Sequence, residues 1–200
     1  FDFLRTMQAC KETFGDTEMS MVIVPGQVCE KFFGEIESAI GIIQLKKLPD
    51  LIKKRQEVAS RLSKGLSALN GLKLPFIEEN CSHVYYVYAL QVDEKITGVS
   101  RNKIHQALVA EGLNIGNSYS NLHLLPMYQR KIAYGSNGFP WSSDICKRDV
   151  DYSKGICPTS EMMDEKVLIL GLCEANYSAS EIQLTIDAFQ KVWDNLETIV

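Results

Sequence analysis

At 200 residues, 46% hydrophobic and 23% charged, the chain has material for one sizeable domain or two small ones. Its net charge of −4 excludes a global basic field for nucleic acid or anionic lipid. No apolar run approaches the roughly 20 residues of a membrane span, and the first residues, FDFLRTMQACKETFGD, carry no signal-peptide pattern.

In chain order, residues 1–15 read as a helix ending near Gly15, and MSMVIVPG as a short strand closed by Pro25-Gly26. A helix then runs through Leu48, with Phe33, Ile36, Ile40 and Ile43 at helical spacing. Gly34, Ser38 and Gly41 form a small-residue line beside them, which predicts close helix packing. Pro49 suits the first turn of a second helix, set at an angle to the first. That helix carries the stripe Leu51, Ile52, Val58, Ala59, Leu62, Leu66 and Leu69 and stops at Asn70-Gly71. Lys46-Lys47 and Lys53-Lys54-Arg55 form the solvated face of this helical pattern.

HVYYVYALQV, residues 83–92, reads as a strand apolar on both faces, interior to a covered sheet. Ser100 caps a helix to Glu111, stopped by Gly112. LNIGNSYS leads from a strand into a long irregular stretch, about Asn117 to Thr159, with short helices, one starting at Pro126. Lys166–Leu172 is a strand, and Ser180 caps a final helix through Leu196 with Ile182, Ile186, Phe189, Val192 and Trp193 inward. The expected fold class is α/β, a small sheet with packed helices and one long loop region, α+β being the neighbouring option. Ordered loops of such length usually bind ligands or act as lids, which makes this one the expected functional surface.

Six cysteines, Cys10, Cys29, Cys81, Cys146, Cys157 and Cys173, form no CxxC pair and no zinc spacing, so no metal site is expected. Most read as small core residues of a protein in a reducing compartment, the cytoplasm. Of the three histidines, His83 and His105 read as structural or exposed. His123, in YSNLHLLPMY between Tyr119 and Tyr128, is placed to bond phosphate or sugar hydroxyls, or else to pack on Leu124 and Leu125. GSNG, residues 135–138, reads as a loop tip, and CPTSEMM, residues 157–163, as a helix start with Cys157 at its head. There is no nucleophile elbow, P-loop or dinucleotide glycine motif, and hence no complete catalytic set.

The order of several segments resembles the DegT/StrS-type sugar aminotransferases. EIESAIGIIQLKKLPDLIKKRQEVASRL, residues 35–62, is similar to that family's E-I-x-A-A-I-G helix, then Q-L-x-K-L, then R-x-x-x-A. The matching residues are Glu35, Ile36, Ala39, Ile40 and Gly41, then Gln44, Leu45, Lys47 and Leu48, then Arg55 and Ala59. EGLNIGNSYSNLHLLPMYQ resembles the family's G-I…Y-x-P-L-H-L-x-P-x-Y at Gly112, Tyr119, Leu122, His123, Leu124, Pro126 and Tyr128. GFPW, GICPTSE and the closing helix look like a perosamine-synthase-like branch.

The resemblance implies a fold-type-I aminotransferase that uses pyridoxal phosphate to move an amino group, usually from glutamate, to a nucleotide-linked keto-sugar. It implies a homodimer and a place in polysaccharide biosynthesis, while the acidic net charge and the lack of a long apolar run argue against a nucleic-acid or membrane partner. Tyr119, His123 and Tyr128 become substrate-binding residues. The family's Schiff-base lysine, in an S-x-x-x-K segment, and its pyridinium-facing aspartate belong to the large domain, upstream of everything matched. The chain is therefore expected to be the C-terminal part of such an enzyme. Residues 1–48 would end the large domain and form the linking helix, and residues 49–200 would form the small domain. No catalytic residue is assigned. The family's G-Y-N-Y-R-M, whose Asn reaches the cofactor phosphate of the neighbouring subunit, has no counterpart: one register places Glu30 and the other Val28 at the Asn. A carboxylate there would repel phosphate. That departure leaves a catalytically silent binding or dimerisation module as the alternative, with a related sugar dehydratase as a third.

Overall fold

The chain is described from a computed structural model covering residues 35–135, 137–172 and 177–199, with side chains from residue 39. The readings made for residues 1–34, including the first helix, the MSMVIVPG strand and the Glu30 and Val28 registers, lie outside the described residues. Two units separate. One comprises Ile36–Tyr119 and Met162–Val200; the other, among the described residues, is Ser120–Glu161 with Glu35.

In the first unit, helix α1 (Glu35–Leu66) runs unbroken through Pro49, where two angled helices were expected. Proline removes one backbone donor and frees the carbonyl four residues earlier. Residues 42–51 are all exposed, so water is available to that carbonyl. Past Pro49 the expected stripe turns inward from Val58 on: Ala59, Leu62 and Leu66 are buried and Val58 packs beside them, while its first member, Leu51, stays exposed. Before it the apolar residues face outward, Ile40 and Ile43 being 56% and 49% exposed. Gly41 has open space where a side chain would stand, so close packing is not seen at this member of the small-residue line; Gly34 lies outside the described residues.

The sheet has the order β1-β2-β4-β3, antiparallel throughout. Its strands are β1 (Leu72–Lys73), β2 (Tyr88–Val92), β3 (Ile115–Gly116) and β4 (Val167–Leu170). β2 is interior, as expected, but shorter than residues 83–92. The Tyr85 amide donates to Nδ1 of His83 at 2.8 Å, and Tyr85 adopts φ 49°, which breaks the extended run. β2 also covers one face rather than two: Tyr88, Leu90 and Val92 are buried, while Ala89 and Gln91 are half-buried. Register pairs Leu90 with Leu168 and Tyr88 with Leu170, which places large apolar side chains side by side in the core.

Helix α2 (Glu94–Thr97) is one turn, and α3 (Arg101–Ala110) starts where expected, with the Ser100 hydroxyl accepting from Lys103. Ile104 and Leu108 bring α3 onto the core. In the long C-terminal helix (Ala179–Asp194) Ile182, Ile186, Phe189 and Val192 point inward, as its periodicity required. Its cap is Ser178, not Ser180. Glu181 completes a reciprocal box, Ser178 N donating to Oε2 at 2.7 Å and Glu181 N to the serine hydroxyl at 3.2 Å. Ser180 lacks an acidic partner three residues on, and its hydroxyl pairs with that of Ser178 instead. A last turn, Leu196–Ile199, follows. His83 and His105 are structural: the carbonyl of His83 accepts from Gln56, and Nε2 of His105 bonds the Ile115 carbonyl.

Gly65 of α1 lies against this helix. A methyl group there would stand 2.5 Å from Cδ1 of Ile186. Gly65→Ala is therefore expected to lower stability by about 1–3 kcal/mol, the overpacking outweighing alanine's gain in helix propensity of about 1 kcal/mol. Denaturant titration measures it, and adding Ile186→Val should recover part of the loss.

The second unit is the long loop. It contains a 3-10 turn (Leu122–Leu124), helix α4 (Pro126–Arg130) beginning at the expected proline, and a bridge between Tyr134 and Phe139 that closes the 135–138 tip. Helix α5 (Pro158–Lys166) begins here. The described cysteines do not bear out the core expectation. Cys81 is exposed and Cys146 and Cys157 are half-buried, all three free, because each sits in irregular chain outside the sheet-and-helix core.

Candidate functional site

His123 enters the 3-10 turn between two leucines, and α5 begins opposite it. Nε2 of His123 lies 2.9 Å from Oε1 of Glu161, with both side chains about nine-tenths buried, 10% and 9% exposed. Glu161 also accepts from the Gly155 amide, at 2.8 and 2.9 Å to its two oxygens, and from the Cys157 amide at 3.3 Å. One carboxylate thus fills the amide-rich start of α5 and fastens the preceding turn. The Gly155 bond is the largest cause holding this carboxyl below the usual carboxylate range; partial burial opposes it, and the His123 ring and Cys157 amide add to it.

The ionised carboxylate only accepts hydrogen bonds, so Nε2 of His123 carries the hydrogen. Nδ1 has no protein partner among the described residues. A neutral His123 therefore offers Nδ1 as an acceptor for a hydroxyl, and a protonated one offers an N–H to phosphate oxygen.

Tyr128, on α4, stands in the same unit as His123. Its ring is 5.1 Å from that of Tyr152 and 6.1 Å from Trp141, and Trp141 donates its indole N–H to the Tyr152 hydroxyl at 3.1 Å. Such edge-on and tilted ring pairs stabilise beyond their buried area. Gln129 ties this cluster to the histidine, its amide donating to the carbonyls of His123 and Tyr152, both at 2.6 Å. Lys131 pairs with Asp149 at 2.6 Å on the surface.

Tyr119 belongs to the other unit and is 60% exposed. Its amide donates to Oδ1 of Asp164 at 2.8 Å, beside the Ser118 hydroxyl at 2.9 Å. Glu161, Gln129, Trp141, Tyr152 and Asp164 were given no binding or positioning role from the sequence, Glu161 being read only as part of a helix start. The one legible signal was the acidic residue of CPTSE, four positions past the cysteine. The aromatic pairs join residues 11 to 24 apart through irregular chain, where no periodicity marks them.

Among the described residues the donor set does not fit pyridoxal phosphate. Two serine–lysine pairs have the S-x-x-x-K spacing, Ser60 with Lys64 on α1 and Ser143 with Lys147 in the loop, and both lysines are exposed. Glu161 is already engaged by amides and histidine, and its charge opposes a phosphate beside it. Among the described residues no cluster of histidine, cysteine or acidic side chains suits a metal ion either. No helix there is long and apolar enough to cross a membrane. What the arrangement offers is binding and orientation.

The spore coat polysaccharide biosynthesis protein SpsC of Bacillus subtilis is 36% identical over 126 residues, covering 62% of this chain and 32% of SpsC. Among solved structures, the aminotransferase TlmJ from Streptoalloteichus hindustanus superposes with a TM-score of 0.57 at 24% identity, over 79% of this chain and 36% of TlmJ. Spr1654 from Streptococcus pneumoniae in its PLP form gives a TM-score of 0.57 at 20% identity, over 81% and 36%. These likenesses carry the fold, and the chain spans about a third of the length of each of the three proteins. The DegT/DnrJ/EryC1/StrS aminotransferase family model matches residues 30–167, well over half of the chain, and the chain belongs to that family.

Proposed function

We propose that these 200 residues are the C-terminal portion of a sugar aminotransferase that moves an amino group from an amino acid such as glutamate to a nucleotide-linked keto-sugar. In that reading the chain supplies substrate contacts through Tyr119, His123 and Tyr128. The Schiff-base lysine and the remaining cofactor contacts lie in the part of the large domain upstream of these residues. Residues 1–48 end that large domain and residues 49–200 form the small one. The enzyme works in the cytoplasm as a homodimer. Family membership and the name of SpsC, a polysaccharide biosynthesis protein, support a sugar substrate.

The observation that carries the site is the His123–Glu161 pair, a half-satisfied imidazole held rigid in a loop. Bound pyridoxal phosphate would supply the electron sink for the amino transfer. This chain's own residues bind and orient the sugar. Nδ1 of His123 accepts a hydroxyl hydrogen, and the Tyr128 ring, fixed by Tyr152 and Trp141, bounds the same loop. The outward apolar residues of α1, from Ile40 to Leu51, are surface this reading assigns to contact with the rest of the enzyme.

Mixing the 200-residue chain with pyridoxal phosphate and borohydride is expected to give only scattered, substoichiometric labelling of its exposed lysines, such as Lys53, Lys54 and Lys64. A stoichiometric adduct on one lysine would contradict the division of labour. Joined to an upstream segment carrying the S-x-x-x-K lysine, the protein is expected to turn glutamate into 2-oxoglutarate when given a nucleotide-linked keto-sugar. No turnover despite bound cofactor would favour the silent module.

A further inference from the structure

We propose that Asp164 is a positioning residue that fixes the main chain of Tyr119, and that Arg101 anchors Asp164 from behind. The purpose assigned to it, presenting Tyr119 to the sugar, rests on the function proposed above; the positioning itself does not.

Asp164 lies in the last turn of α5, where the helix dipole disfavours a negative charge. An acidic residue at that end needs a compensating partner or a task, and Asp164 has both. Its Oδ1 accepts from the Tyr119 amide at 2.8 Å and from the Ser118 hydroxyl at 2.9 Å, so a single oxygen gathers two consecutive residues. Behind it, the guanidinium of Arg101 donates through Nη2 to the Asp164 carbonyl at 2.8 Å and through Nε to the Glu165 carbonyl at 3.0 Å. These are last-turn carbonyls without helical partners, and a cation there offsets the dipole.

Arg101 is buried, 8% exposed, and starts α3, its own amide donating to Oε1 of Glu94 at 2.9 Å. Its Nη1 is buried without a hydrogen-bond partner among the described residues. A buried guanidinium with an unmet donor is costly, which argues that its two carbonyl bonds serve a purpose. The result is a relay from α3 through the end of α5 to the Tyr119 backbone. The phenol at its end is exposed and takes no partner among the described residues.

Backbone hydrogen exchange on the whole 200-residue chain tests this. Asp164→Ala is expected to speed exchange at the Tyr119 amide by about tenfold or more, while the Leu168 and Ile169 amides of β4 keep their rates. Asp164→Asn retains an acceptor oxygen and is expected to stay within about threefold of wild type, a rescue that general loosening would not give. Arg101→Lys, which cannot span both carbonyls, is expected to speed the same amide severalfold. Three results would overturn the proposal: a wild-type Tyr119 amide exchanging like an unstructured peptide, an unchanged rate in Asp164→Ala, or Asp164→Asn as fast as Asp164→Ala. Should the alanine variant not fold, the wild-type, asparagine and lysine rates still decide. The exchange readout needs no substrate. The predicted pattern together with an unchanged KM in a Tyr119→Phe enzyme would uphold the positioning and refute the sugar reading.

Discussion

Glu161→Ala is expected to release the turn before α5 and the His123 ring together. Exchange at the Gly155 and Cys157 amides should rise by about tenfold or more, because the variant leaves two backbone donors and an imidazole N–H without their shared acceptor. β4, in the other unit, should keep its protection. Glu161→Gln is expected to fall between. It keeps one acceptor oxygen, but its NH2 group cannot receive the second Gly155 contact. The same carboxylate sets a pH dependence. Its folded value lies below the ordinary 4.5, so its contribution to loop order is complete above that value and is lost as pH falls through the lower folded one. Gly155 protection should therefore persist at pH 5 and disappear in stronger acid. Loss beginning at pH 6 would mean that another group governs the turn.

Phe189→Ala is expected to have the largest effect on stability. The ring is fully buried among the inward residues of the C-terminal helix and lies 6.0 Å from Trp193. Truncation removes a large apolar side chain and leaves a cavity, a cost of about 3–5 kcal/mol. Domains of this size have about 5–15 kcal/mol in total, so the midpoint of urea unfolding should drop by a large fraction or the unit should fail to fold. Phe189→Leu, which refills most of the volume, should cost clearly less. A midpoint shift for Phe189→Ala no larger than that for Gly65→Ala would contradict this account of the core.

The elements legible in the sequence were those whose signal is local. Ser100, the proline at 126 and the apolar stripe of the final helix each specify their own turn or face, and the structure agrees. The misreadings have tertiary or competing local causes. Strand 83–92 lost its first half to the His83 ring, which takes the Tyr85 amide. The helix around Pro49 continued because its exposed surroundings tolerate a missing bond. Ser178 displaced Ser180 because only Ser178 has Glu181 three residues on. In the site, His123 and Tyr128 stood out through their motif, and they share a unit. Glu161 and Asp164, which hold the segments proposed to contact substrate, come from one short helix 38 and 45 residues downstream of what they bind. No spacing rule announces a pairing of that length.

The most direct test of the central claim is the kinetics of His123→Ala in the protein that joins this chain to its cofactor-bearing domain. The account predicts a KM for the nucleotide-linked keto-sugar raised by about tenfold or more, with a smaller change in kcat and an unchanged KM for glutamate. An unchanged sugar KM in His123→Ala, Tyr119→Phe and Tyr128→Phe alike would contradict it.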